Sequence, residues 1–136
     1  MLLNSKIEFL VIHCSDSEDT LSYNATDIHK LHLKFGWNGI GYHKVICRSG
    51  LIENGRPEFW IGAHVRGYND KSLGVCLIGR KKFTKNQFSS LRLVIKDWKK
   101  KYPNAKIVGH YEITNSSKTC PNFNVKKWCE KNGFQI

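Results

Sequence analysis

The chain has 136 residues, 40% of them hydrophobic and 24% charged, with 22 Lys+Arg against 11 Asp+Glu for a formal net charge of +11. This length fits one domain over residues 1–136 that can bury roughly two-thirds of its unfolded surface, so folding needs no disulfide framework. No run approaches the roughly 20 apolar residues of a membrane helix, which excludes a membrane span of that kind.

Ile7-Glu8-Phe9-Leu10-Val11-Ile12 is almost continuously apolar, the pattern of a central strand covered on both faces, and it ends at His13. Asn24 is a cap for a helix over about Ala25 to Phe35, with Ile28, Leu31 and Phe35 on its apolar face and Gly36 as the stop. Tyr42 to Arg48 reads as a second strand, turned by Ser49-Gly50 into Leu51-Ile52-Glu53 to make a hairpin. An irregular stretch from Asn54 to Lys71 precedes another buried strand, Ser72 to Ile78. Thr84 and Gln87 form a capping box, which opens a helix carrying Phe88, Leu91, Val94, Ile95, Trp98 and Tyr102 at helical spacing. Lys106 to Val108 is a further strand leading into Gly109-His110, and a last helix runs from about Val125 to Asn132 between Asn124 and Gly133. The whole predicts an α/β fold: a single domain with a central mixed β-sheet flanked by helices.

In open α/β sheets, sites collect at the carboxyl ends of strands. His13 and His110 both fall at such ends, and the loop after His110 is long enough to bring Cys120 back to it. Two imidazoles and a thiolate are the ligand types of a catalytic zinc site, which uses three protein ligands and keeps one position open. The five cysteines are odd in number and include no Cys-x-x-Cys pair, so they read as free thiols. Cys14 should face away from His13 along an extended strand, and Cys76 reads as a small core residue. His29 and His32, three apart on the first helix, read as structural. Spacing alone leaves many other triples of the six histidines and five cysteines open.

Further segments occur in a telling order: Val11-Ile12-His13-Cys14-Ser15, Gly36-Trp37, Gly41-Tyr42-His43, Gly62-Ala63-His64, Gly67-Tyr68-Asn69, Ser72-Leu73-Gly74-Val75, Gly109-His110-Tyr111-Glu112 and Lys118-Thr119-Cys120-Pro121. Together they resemble the type 2 N-acetylmuramoyl-L-alanine amidases, above all the small phage endolysins of that type, with the peptidoglycan recognition proteins as more distant relatives. The resemblance runs from about Lys6 to Asn132. It implies the amidase fold and zinc-dependent hydrolysis of the bond between N-acetylmuramic acid and L-alanine in peptidoglycan. It implies one Zn2+ held by His13, His110 and Cys120, catalytic assistance from Tyr42 and Lys118, and a substrate groove lined by His64 and Asn69. Outside the resemblance, Tyr42 reads as a core or barrel-end aromatic and Lys118 as one more solvated lysine. Glu53 is a conceivable counterpart of a glutamate that some relatives use as a base.

The positive charge favours polyanions. With no helix-turn-helix and no aromatics interleaved with lysines, the expected partner is an anionic bacterial wall and its peptidoglycan, with no specific nucleic acid. A monomer is the expected state. Met1–Lys6 lacks a positive segment ahead of a long apolar core, so synthesis without a signal peptide is expected, followed by action on the wall after release through a holin-type route. The alternative function is a non-catalytic peptidoglycan-binding protein of the same fold.

Overall fold

The computed structural model describes residues 6–114 and 119–134. Five strands form one sheet: β1 (Phe9–Cys14), β2 (Lys44–Ile46), β3 (Ile52–Asn54), β4 (Ser72–Leu77) and β5 (Lys106–Gly109), in the spatial order β3-β2-β4-β1-β5. β1 pairs parallel with β4 and β5, β2 pairs parallel with β4, and only the hairpin partner β3 runs antiparallel. The expected mixed sheet is therefore a parallel one with an antiparallel edge. Among the described residues three α-helices accompany it: α1 (Ala25–Lys34), α2 (Lys85–Lys101) and α3 (Val125–Lys131).

The period-2 alternation of a strand divides β1 between two cores. Leu10 and Ile12 face a large cluster with Leu91, Ile95 and Trp98 of α2 and Val125 and Trp128 of α3. Val11 faces the other way, against Val65 and Val108. His13 therefore shares the side of Val11, away from α2 and α3. β1 extends one residue past the expected end at His13, and Ser15 N–H still donates to the Leu77 carbonyl at 2.9 Å beyond the paired positions. This keeps His13 inside the strand and 1% exposed.

The caps read from the sequence are present. Asn24 and Asp27 exchange hydrogen bonds at the start of α1, as do Thr84 and Gln87 at the start of α2, and Asn124 caps α3. The face of α1 differs from expectation. Ile28 is buried, but its partner on the inner face is His32, whereas Leu31 and Phe35 are 41% and 59% exposed. His32 goes inside because a backbone donor waits for it there: Gly41 N–H donates to His32 Nδ1 at 3.0 Å. A leucine or phenylalanine at that place would leave the buried N–H unmatched.

Candidate metal centre and catalytic site

The register of the parallel strands builds the site. Ile12 lies opposite Gly109, so His13 is level with His110, the residue that follows β5 and starts a single 3-10 turn, His110–Glu112. The two imidazoles are 4.6 Å apart between ring centroids. A backbone bond holds Cys120 against the turn, Tyr111 N–H donating to the Cys120 carbonyl at 3.1 Å. Gly109 N–H is taken by the Glu112 carboxylate at 2.9 Å, which fixes the start of the turn. As a result one ligand atom each from His13, His110 and Cys120 lie within 4.8 Å of one another. Among the described residues this is the one cluster of three or more His, Cys, Asp or Glu side chains able to hold a metal ion.

The donor set fits a cation. At ordinary Zn–N and Zn–S lengths a tetrahedral centre needs ligand atoms roughly 3.5 Å apart, and the three here lie within 4.8 Å of one another. Cys14 N–H donates to Cys120 Sγ at 2.8 Å, a backbone bond that favours a thiolate. Within the protein alone the Cys120 thiol is pushed above its ordinary range, first by its contact with the Cys14 side chain and then by burial. A metal ion at the cluster is the group that can hold that sulfur deprotonated.

Tyr42 stands beside the three donors. Its ring lies 5.1 Å from that of His13 and 5.5 Å from that of His32. Burial, then the neighbouring thiols of Cys76 and Cys120, raises its phenol well above its ordinary pKa, so it retains its proton at neutral pH and remains a donor. The Tyr42 backbone is fixed from α1: Ile40 N–H donates to His29 Nδ1 and Gly41 N–H to His32 Nδ1, each at 3.0 Å. The two helix histidines thus have the structural role expected of them, as acceptors for the irregular segment that leads to Tyr42.

His64 and Asn69 are both engaged in hydrogen bonds within the fold. His64 is 9% exposed and lies behind His13, its Nδ1 2.9 Å from His13 Nε2. Burial first, then His43 and His110, lowers its pKa well below the ordinary value, so the ring is neutral. Asn69 turns inward for a physical reason: its Oδ1 accepts the N–H of His64 at 2.9 Å and of Val65 at 2.8 Å, closing the loop that carries His64. Glu53 accepts Ala25 N–H at 2.8 Å, at the N-terminus of α1, and the Cys47 thiol at 3.3 Å. Its carboxylate is engaged in holding that helix to the hairpin. Lys118 lies outside the described residues.

Ser72 and His43 were not singled out in the sequence. Ser72 Oγ lies 3.3 Å from His64 Nε2, and His43 accepts Gly74 N–H at 3.1 Å while facing the Trp60 carbonyl at 2.9 Å. Two glycines carried the signal. A Cβ at Gly74 would sit 2.6 Å from His64 Nδ1, and one at Gly62 would sit 2.7 Å from His64 Cδ2 and 2.9 Å from His43 Cε1. A glycine inside a buried strand marks a close approach, here by imidazole.

This arrangement agrees with what known proteins resemble the chain. Residues 3–123 match the model of the N-acetylmuramoyl-L-alanine amidase family. The endolysin of Escherichia phage T7 is 37% identical over 131 residues, spanning 90% of this chain and 85% of that protein. The endolysin of Klebsiella phage KP32 is 36% identical over the same shares of both chains. Among solved structures, the N-acetylmuramoyl-L-alanine amidase LysC from Clostridium intestinale URNW superposes with a TM-score of 0.85 at 26% identity, covering 97% of this chain and 89% of that one. The chain belongs to the N-acetylmuramoyl-L-alanine amidase family.

Proposed function

We propose that this peptidoglycan amidase is a zinc enzyme whose His13, His110 and Cys120 bind one Zn2+ and whose Tyr42 and Lys118 assist the reaction. The reaction is hydrolysis of the amide between N-acetylmuramic acid and the first L-alanine of the stem peptide, and its outcome is lysis of the wall. The observation that carries the metal reading is the convergence of three donors from two strand ends and a loop within 4.8 Å. Three ligands rather than four suit a catalytic centre, which keeps one position for water or substrate. When bound there, zinc supplies Lewis acidity, which makes water a nucleophile near neutral pH and polarises an amide carbonyl.

The chain's own groups do the rest. Tyr42, protonated and beside His13, donates a hydrogen bond where negative charge develops on the carbonyl oxygen. Lys118, two residues before Cys120, brings a cation to the same charge; its part rests on the sequence resemblance alone. The Glu53 carboxylate is occupied at the start of α1, so we assign it no role as base. Peptidoglycan is the substrate, and we propose that the net charge of +11 draws the monomeric enzyme to the anionic wall after its release from the cell that makes it, through a holin-type route. No helix among the described residues is long and apolar enough to cross a membrane.

The metal content of the purified chain tests this reading. One zinc per chain is expected, removed by chelator, restored by zinc, and lost in Cys120→Ala. A parent protein that binds no zinc, or a Cys120→Ala variant that binds it as tightly as the parent, contradicts the ligand set.

A further inference from the structure

The imidazole of His13 has two nitrogens, and only the one without a proton can bind a metal. The groups packed behind the ring decide which it is. Ser72 Oγ lies 2.7 Å from the Tyr68 carbonyl. A carbonyl oxygen only accepts, so the single hydroxyl proton of Ser72 is committed to it. Ser72 therefore shows only lone pairs to His64 Nε2, 3.3 Å away, and that nitrogen must carry the proton of His64. In a neutral imidazole the other nitrogen is then an acceptor. His64 Nδ1 faces His13 Nε2 at 2.9 Å, so His13 donates from Nε2 and keeps its lone pair on Nδ1.

The frame around this chain of bonds is rigid. Ser72 is 0% and His64 9% exposed, which keeps bulk water from offering either group another partner. The His64 backbone is fixed by Asn69 Oδ1, and its ring lies in the slot left by Gly62 and Gly74. The rings of His13 and His64 stand at 87°, edge to face, so neither can flip without losing the 2.9 Å bond.

We propose that Ser72 and His64 are positioning residues that set the tautomer of His13. A directed series of hydrogen bonds runs from His13 Nε2 through His64 and Ser72 to the Tyr68 carbonyl, and it leaves Nδ1 as the nitrogen with which His13 joins His110 and Cys120 at the metal. The inference rests on the reading of His13 as a zinc ligand. It moves His64 from the substrate to the metal, and it gives Ser72 a role of its own.

Two measurements on the full chain test it. The first is long-range 1H–15N correlation of the histidine rings in metal-free, 15N-labelled protein. Both His64 and His13 are expected in the neutral form protonated at Nε2. Finding the proton on Nδ1 of either ring overturns the proposal. The second is zinc affinity by competition with a chromophoric chelator, for His64→Phe, which keeps the ring shape, and for Ser72→Ala, with the thermal midpoint of each metal-free variant as a check on folding. Loss of an outer partner of a metal-ligating histidine typically weakens metal binding by about 10–100-fold, the range expected for His64→Phe. Ser72→Ala should weaken binding less and should mix the His64 tautomers, and Ser72→Thr, which restores the hydroxyl, should recover both. Parental zinc affinity in His64→Phe and Ser72→Ala alike contradicts the proposal. A parent chain that fails to bind zinc contradicts the zinc reading instead, and the ring tautomers, read without metal, still decide the hydrogen-bond series.

Discussion

In the proposed mechanism the Tyr42 hydroxyl and the three metal ligands make separable contributions, and single substitutions should separate them. Tyr42→Phe keeps the ring 5.1 Å from His13 and removes only the hydroxyl. Loss of one donor to developing charge typically lowers kcat by about 10²–10³-fold, so Tyr42→Phe should fall in that range with zinc affinity unchanged. Initial rates on purified peptidoglycan check this, and a variant at the parental rate contradicts the role given to Tyr42. His13→Ala, His110→Ala and Cys120→Ala should each lower activity by more than the roughly 100-fold associated with an outer partner, together with metal content. At this scale the sequence was informative where a residue stands at the end of a strand. His13 and His110 could be placed together because parallel strands put their carboxyl ends side by side. His64 could not be placed, because its contact with His13 spans 51 positions and depends on Gly62 and Gly74 leaving room, a relation that no local pattern carries.

The strands and helices themselves follow from pattern and caps with two differences: β2 covers only Lys44–Ile46 of the expected Tyr42 to Arg48, and α1 turns a different face inward. Apolar periodicity favoured Leu31 and Phe35 for its inner face, but His32 occupies it because the buried Gly41 N–H needs its imidazole as acceptor, as the Ile40 N–H takes that of His29. That choice has a pH signature. Burial first, then Arg56 and His29, lowers the His32 pKa from 6.5 to about 4, and burial depresses His43 and His64 in the same direction. These rings stay neutral in the fold while the unfolded chain takes up protons below 6.5, so stability is fully present above that pH and is lost as pH falls toward 4. Thermal melts in chelator should show a midpoint that declines over this window, and a midpoint flat across it contradicts the assignment. β4 offers a second test. In Gly74→Ala the new methyl would meet His64 Nδ1 at 2.6 Å, with the ring held between Gly62 and Ser72 and unable to retreat. Overpacking of this kind typically costs about 1–3 kcal/mol, visible in denaturant melts, and zinc retention should fall with it. Parental stability and zinc retention would show that the slot is looser than this.

For the whole molecule, we propose that charge and chemistry act on the same target. Attraction of a chain of net charge +11 to an anionic wall would be screened as the Debye length shrinks from about 10 Å at 0.1 M salt to about 3 Å at 1 M. Sedimentation of the Cys120→Ala variant with purified walls should show binding that weakens over this range, and binding indifferent to salt contradicts a role for the charge. The most direct test of the account is the product of the reaction. The protein should be incubated with peptidoglycan, with zinc and then with excess chelator, beside Cys120→Ala and Lys118→Ala, and the released material analysed by mass spectrometry. The account predicts intact stem peptides that begin with a free L-alanine amine, abolished by chelator and by Cys120→Ala and strongly reduced in Lys118→Ala. Walls that bind the protein but keep every such amide bond under all metal conditions would contradict it, and would leave a peptidoglycan-binding protein of the same fold.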